Sequence, residues 1–64
     1  MTFEAHIIWA TIENLSQSND QIEVNQVTKL TTIPKEKTEF IIEQMIHFKL
    51  LRRKQGQVSI NEGV

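Results

Sequence analysis

Val24-Asn25-Gln26-Val27-Thr28-Lys29-Leu30-Thr31-Thr32-Ile33-Pro34-Lys35 is the stretch that decides how this chain folds. Val24, Val27, Leu30 and Ile33 recur at near-helical spacing and run straight into Pro34. Proline has a fixed φ and no N–H, so it ends one helix and suits the first turn of the next. Thr31-Thr32 predicts the break between the two. Beyond it, Thr38, Ile41, Ile42, Met45 and Phe48 converge on one face of a third helix. Glu36, Glu39, Phe40, Glu43 and His47 take the other face. Leu50-Leu51 then leads into Arg52-Arg53-Lys54-Gln55-Gly56-Gln57-Val58-Ser59-Ile60. Gln55-Gly56 reads as a two-residue hairpin loop, with glycine supplying a positive φ. That register opposes Arg53 to Val58 and Leu51 to Ile60. It turns Leu51, Val58 and Ile60 to the core and Arg52, Lys54, Gln57 and Ser59 outward. Lys49 must end the third helix where glycine would be easier.

Upstream, Thr2 is placed to cap a first helix running to about Ser16. Ala5, Ile8, Ile12 and Leu15 share one face of it. Phe3, Ile7 and Ala10 form a second apolar stripe nearly opposite, with Trp9 at the edge of the first. A surface helix of a small domain normally carries one stripe. The second is therefore expected to meet another protomer, a partner, or the rest of the domain. Ser16-Gln17-Ser18-Asn19-Asp20-Gln21 is a turn by composition. Ile22-Glu23-Val24 is short and β-branched, fit for one brief strand, and Glu23 or Asn25 opens the second helix. The expected fold is mainly α with a small β-hairpin: three helices plus a two-stranded ribbon, in one domain over residues 1–64. The expected core is Ile8, Ile12, Leu15, Val27, Leu30, Ile42, Met45, Leu51 and Ile60. Residues 61–64 read as a frayed tail.

Sixty-four residues allow one small core, burying roughly 60% of the unfolded chain's surface. The chain has no cysteine, so neither a disulfide nor a thiolate metal site supports it. No apolar run approaches the roughly 20 residues of a membrane span, and the start lacks a signal peptide's pattern. A cytoplasmic, intracellular setting is expected. Net charge is −1 but uneven. Residues 1–28 hold no Lys or Arg, whereas all seven basic residues fall between Lys29 and Lys54 and leave +4 there against three glutamates. That asymmetry points to an anionic partner at one end, or to a solvated surface with chance clustering.

From about Ile22 to Ile60 the chain resembles the winged helix-turn-helix superfamily, in the form shared by small bacterial and phage regulators. The residues that carry the resemblance are Val24-Asn25-Gln26-Val27-Thr28-Lys29-Leu30, Ile33-Pro34-Lys35, Ile42, Met45 and Phe48-Lys49-Leu50-Leu51. Thr32 and Lys49 stand where such proteins often have glycine. The resemblance implies DNA binding, with the third helix at a groove and the hairpin as a wing. The family's groove-facing positions tend to be Ser, Thr, Arg, Lys or Asn. Here they fall on Glu36, Glu39, Phe40 and Glu43.

The expected function is therefore that of a small duplex-DNA-binding regulator or replication accessory factor of phage, plasmid or bacterial type. The expected DNA-binding residues are Lys35, Lys37, Arg52, Arg53, Lys54 and Gln57, gripping phosphates from the wing and the ends of the third helix. The alternative is a protein-interaction module that docks a basic partner through the acidic helix and Phe40. Protein contact, as a homodimer or with a partner, is expected at Phe3, Ile7, Trp9, Ala10 and Phe40. Glu43 and His47 are spaced i, i+4 but lack a third ligand, so a surface pair is the stronger reading than a metal site. Ser16, Ser18 and Ser59 have no histidine or acid at meaningful spacing, and two glycines make no phosphate loop. No enzyme, cofactor or small-molecule substrate is expected.

Overall fold

Thr2 caps the first helix as its sequence position predicts: its Oγ1 accepts from the Ala5 N–H at 3.2 Å. A computed structural model describes residues 2–62. In chain order these form α1 (Phe3–Ser16), β1 (Ile22–Glu23), α2 (Val24–Thr31), α3 (Lys35–His47), β2 (Leu51–Lys54) and β3 (Gln57–Ile60). The fold is mainly helical, with a small antiparallel sheet in the order β1-β3-β2. No helix among the described residues is long and apolar enough to cross a membrane.

The turn between α2 and α3 is held by threonines. Thr31 Oγ1 donates to Val27 O at 2.8 Å and accepts from the Ile33 N–H at 3.2 Å. Thr32 takes a left-handed φ of 59° and donates its N–H to Thr28 O. Thr38 is fully buried, and its Oγ1 donates back to Ile33 O at 3.3 Å. Pro34 is the N-cap of α3. At the other end of α3, Lys49 has φ 65°. The Leu50 N–H donates to Met45 O and the Lys49 N–H to Ile46 O, each at 2.9 Å. This is a Schellman ending with lysine where glycine is usual.

The hairpin has the expected register, with Leu51 opposite Ile60 and Arg53 opposite Val58. Gln55 (φ 52°) and Gly56 (φ 81°) both lie in the left-handed region, as a type I′ turn requires. The two-stranded ribbon is corrected to three strands, because β1 pairs with β3, setting Ile22 against Val58. That pairing covers an edge that would otherwise expose unpaired backbone groups. It also brings Ile22, absent from the expected core, fully inside.

Ile8, Ile12, Ile22, Val27, Ile42, Leu51 and Val58 form the center of a single buried cluster with Met45. Two expected members of the apolar faces lie outside it. Leu30 is 63% exposed. Steps of three residues drift by about 60° around a helix, so Leu30 has rotated off the line through Val24 and Val27. Phe48 is 67% exposed, since it stands one residue past α3. Leu15 and Ile60 are half-buried and pack against the cluster. Asn61, expected in a frayed tail, is anchored: its N–H donates to Leu50 O and its Nδ2 to Lys49 O, both at 3.0 Å. Glu62 of that tail is exposed, and residues 63–64 lie outside the described residues.

Candidate nucleic-acid interface

Between the start of α2, the start of α3 and the hairpin turn lies a groove of about 260 Å³. Lys35, Arg53, Asn25 and Gly56 line it, together with Glu23 and Glu39. Each arrives for a local reason. β1 ends at Glu23, whose N–H donates to Gln26 Oε1 at 2.9 Å, so α2 begins facing the groove. Pro34 starts α3 so that Lys35 is its first residue. The type I′ turn then folds β3 back at Gly56. The N-terminal end of α2 faces the groove with its partial positive charge, but a capping box closes it, with the Glu23 side chain accepting from the Gln26 N–H. Asn25 and Gly56 were not among the expected site residues. Asn25 could have been found from its place in the first turn after a strand.

The six expected DNA-binding residues do not make one strip. Lys35 and Arg53 share the groove. Arg53 alternates onto the core-facing side of the sheet with Leu51, and its Nη2 lies 2.5 Å from Glu43 Oε1. Lys37 is on the flank of α3 next to α1, with its Nζ 2.7 Å from Glu4 Oε1. Arg52 lies beside the α1–β1 loop, in a polar cleft with Asp20 and Glu62. Lys54 and Gln57 are opposite each other at the hairpin tip, on the outer face. Glu36, Glu39 and Glu43 are exposed along α3.

The residues expected at a protein interface also separate. Phe3 is 80% exposed, and Ala10 is exposed as well. Ile7 and Trp9 are half-buried and pack on the core. α1 touches α2 on one side and β3 on another. The covered arc from Ile7 round to Trp9 is therefore about 200°. Of the second stripe of α1, Ile7 is one margin of this broad buried face, while Phe3 and Ala10 stay outside it. Phe40 is 64% exposed. His47 meets Phe48 edge-on, with ring centroids 5.4 Å apart. Among the described residues no cluster of three or more His, Cys, Asp or Glu is placed to hold a metal ion. Compared with protein-family models, curated proteins and solved structures, the chain matches none.

Proposed function

We propose that this protein binds duplex DNA mainly through the phosphate backbone, as a small winged-helix regulator or replication accessory factor. The observation that carries the reading is the groove joining Lys35, Arg53, the opening of α2 and the Gly56 turn. A phosphate in it would meet two cations beside the N-terminal end of α2, whose capping carboxylate, Glu23, it would have to displace. Lys54 and Gln57 at the hairpin tip would follow the adjacent backbone. Glu23 and Glu39 oppose dense phosphate contact, so binding is moderate and strongly salt-dependent. Base discrimination from α3 is confined to an acceptor such as a glutamate facing cytosine N4.

A second reading is favoured by the exposed Glu36, Glu39 and Glu43 beside Phe40. On it, α3 docks a basic protein surface. Titration of mixed-sequence duplexes at low salt separates the two. DNA binding predicts that Lys35→Ala and Lys54→Ala each weaken all sequences alike and flatten the salt slope by about one unit. If the wild type shows no binding at low salt, the protein-docking reading replaces it. Changing Glu36, Glu39 and Glu43 to Gln should then abolish capture of a basic partner. On the DNA reading the same change raises duplex affinity.

A further inference from the structure

On the flank of α3 turned away from the hairpin, Lys37, Phe40, Gln44 and Phe48 follow one another at spacings of three, four and four residues. They cluster within an arc of about 80°. Phe40 and Phe48 stand out from the surface, 64% and 67% exposed. The two rings form walls of a groove of about 450 Å³, almost wholly apolar, with Ala5, Ile41, Met45 and Leu50, and Thr2 and Gln44 complete it. Protruding aromatic rings and a receiving trough thus belong to the same patch, which is what a two-fold interface requires of a single surface.

We propose that this face joins two copies of the chain, with α3 antiparallel to α3 of the second copy and Gln44 on the two-fold axis. Phe40 and Phe48 lie four residues either side of Gln44. Antiparallel packing therefore sets Phe40 of each copy against Phe48 of the other and tucks the rings toward the groove. Gln44 meets its own symmetry mate, where each amide is both donor and acceptor and the pair satisfies itself. Charge agrees with a like partner. The one charged residue of the stripe, Lys37, is already paired with Glu4 at 2.7 Å. The stripe itself therefore presents no unpaired charge to a second copy. Area sets the strength, because the patch is smaller than a standard interface needs. Two phenylalanines about two-thirds exposed, with Leu50 and the groove walls, present on the order of 350 Å² of apolar surface. A standard interface buries roughly 500 Å² of apolar area per partner. The match is to a modest, concentration-dependent dimer. Lys35 and Glu39 lie on a different sector of α3, next to Arg53 of β2, and stay open, so a dimer through this face leaves the candidate DNA groove free.

Sedimentation of the full chain from micromolar to millimolar concentration tests it. The wild type should pass from monomer to dimer. Phe48→Glu and Phe40→Glu should each weaken the dimer by more than about tenfold while leaving the thermal melt of the monomer intact, since both side chains are exposed. Leu30→Glu and Phe3→Glu, on other surfaces, should leave it unchanged. Gln44→Cys, the sole thiol in a chain without cysteine, should oxidise to a covalent dimer, and Asn14→Cys should not. A wild type that stays monomeric at millimolar concentration overturns the proposal. So does a dimer that survives Phe48→Glu, depends on Phe3, or is not cross-linked through Gln44→Cys.

Discussion

Arg53 on β2 reaches Glu43 on α3, with its Nη2 2.5 Å from the carboxylate oxygen. The pair ties the hairpin to the helix, and it sets a cation that lines the candidate groove against an internal anion. Both side chains keep substantial solvent contact, so the pair stabilises the fold by less than about 1 kcal/mol. Glu43→Gln should therefore cost little stability in urea denaturation. It should raise affinity for duplex DNA severalfold and steepen the salt slope by about one unit, because Arg53 becomes free for phosphate. Unchanged or weaker DNA binding by this variant would count against Arg53 as a phosphate ligand.

Met45 and Leu30 are both large and apolar, but only Met45 is inside, at 3% exposure. Met45→Ala should cost about 2–5 kcal/mol, enough to unfold much of so small a domain at room temperature. Leu30→Ala should cost less than about 1 kcal/mol. Chemical denaturation of the two variants side by side checks the contrast. Equal losses would mean that α2 is rotated relative to its described position.

Thr32 and Lys49 hold left-handed backbone, at φ 59° and 65°. A side chain there is strained, most of all a β-branched one. Thr32→Gly and Lys49→Gly should each raise stability by roughly 0.5–1 kcal/mol, and the two gains should add because the sites are at opposite ends of α3. The midpoint of thermal unfolding reads this directly.

Thr28 Oγ1 is buried without a hydrogen-bond partner among the described residues. Thr28→Val keeps the shape and β-branching while removing the orphan hydroxyl. It should stabilise the protein by about 1 kcal/mol. A loss of stability would reveal a partner for that hydroxyl in solution.

Local rules made much of this fold legible. A Thr cap, a proline after an apolar run and a Gln-Gly loop between β-branched residues each act within a few residues, and all three sit where the sequence predicts. The same holds for the positive φ at Lys49, since a helix running straight into a strand needs a left-handed residue. What escaped depends on neighbours distant in the chain. Ile22 joins the sheet only because Val58 offers β3's free edge. Leu30 and Phe48 carry the right apolar character, but the elements above them end or rotate before covering them. The site was half legible for a related reason. Charge shows which cations exist, but only the fold shows that Lys37 and Arg53 face Glu4 and Glu43, while Lys35 does not share an ion pair with them.

The pairing of Ile22–Glu23 with Val58 and Gln57 has a mechanical consequence. A hairpin attached only at its base is a flap, and any ligand that touches its tip must first quench its swing. Here the returning strand is stitched to the residue that launches α2, and Asn61 fastens its far end to the corner after α3. Tip, α2 and the end of α3 are thereby tied together by hydrogen bonds. Whatever enters the groove meets a preorganised cleft, and little conformational entropy is lost on docking. Affinity should accordingly respond more to the charges lining the cleft than to any stiffening of the hairpin.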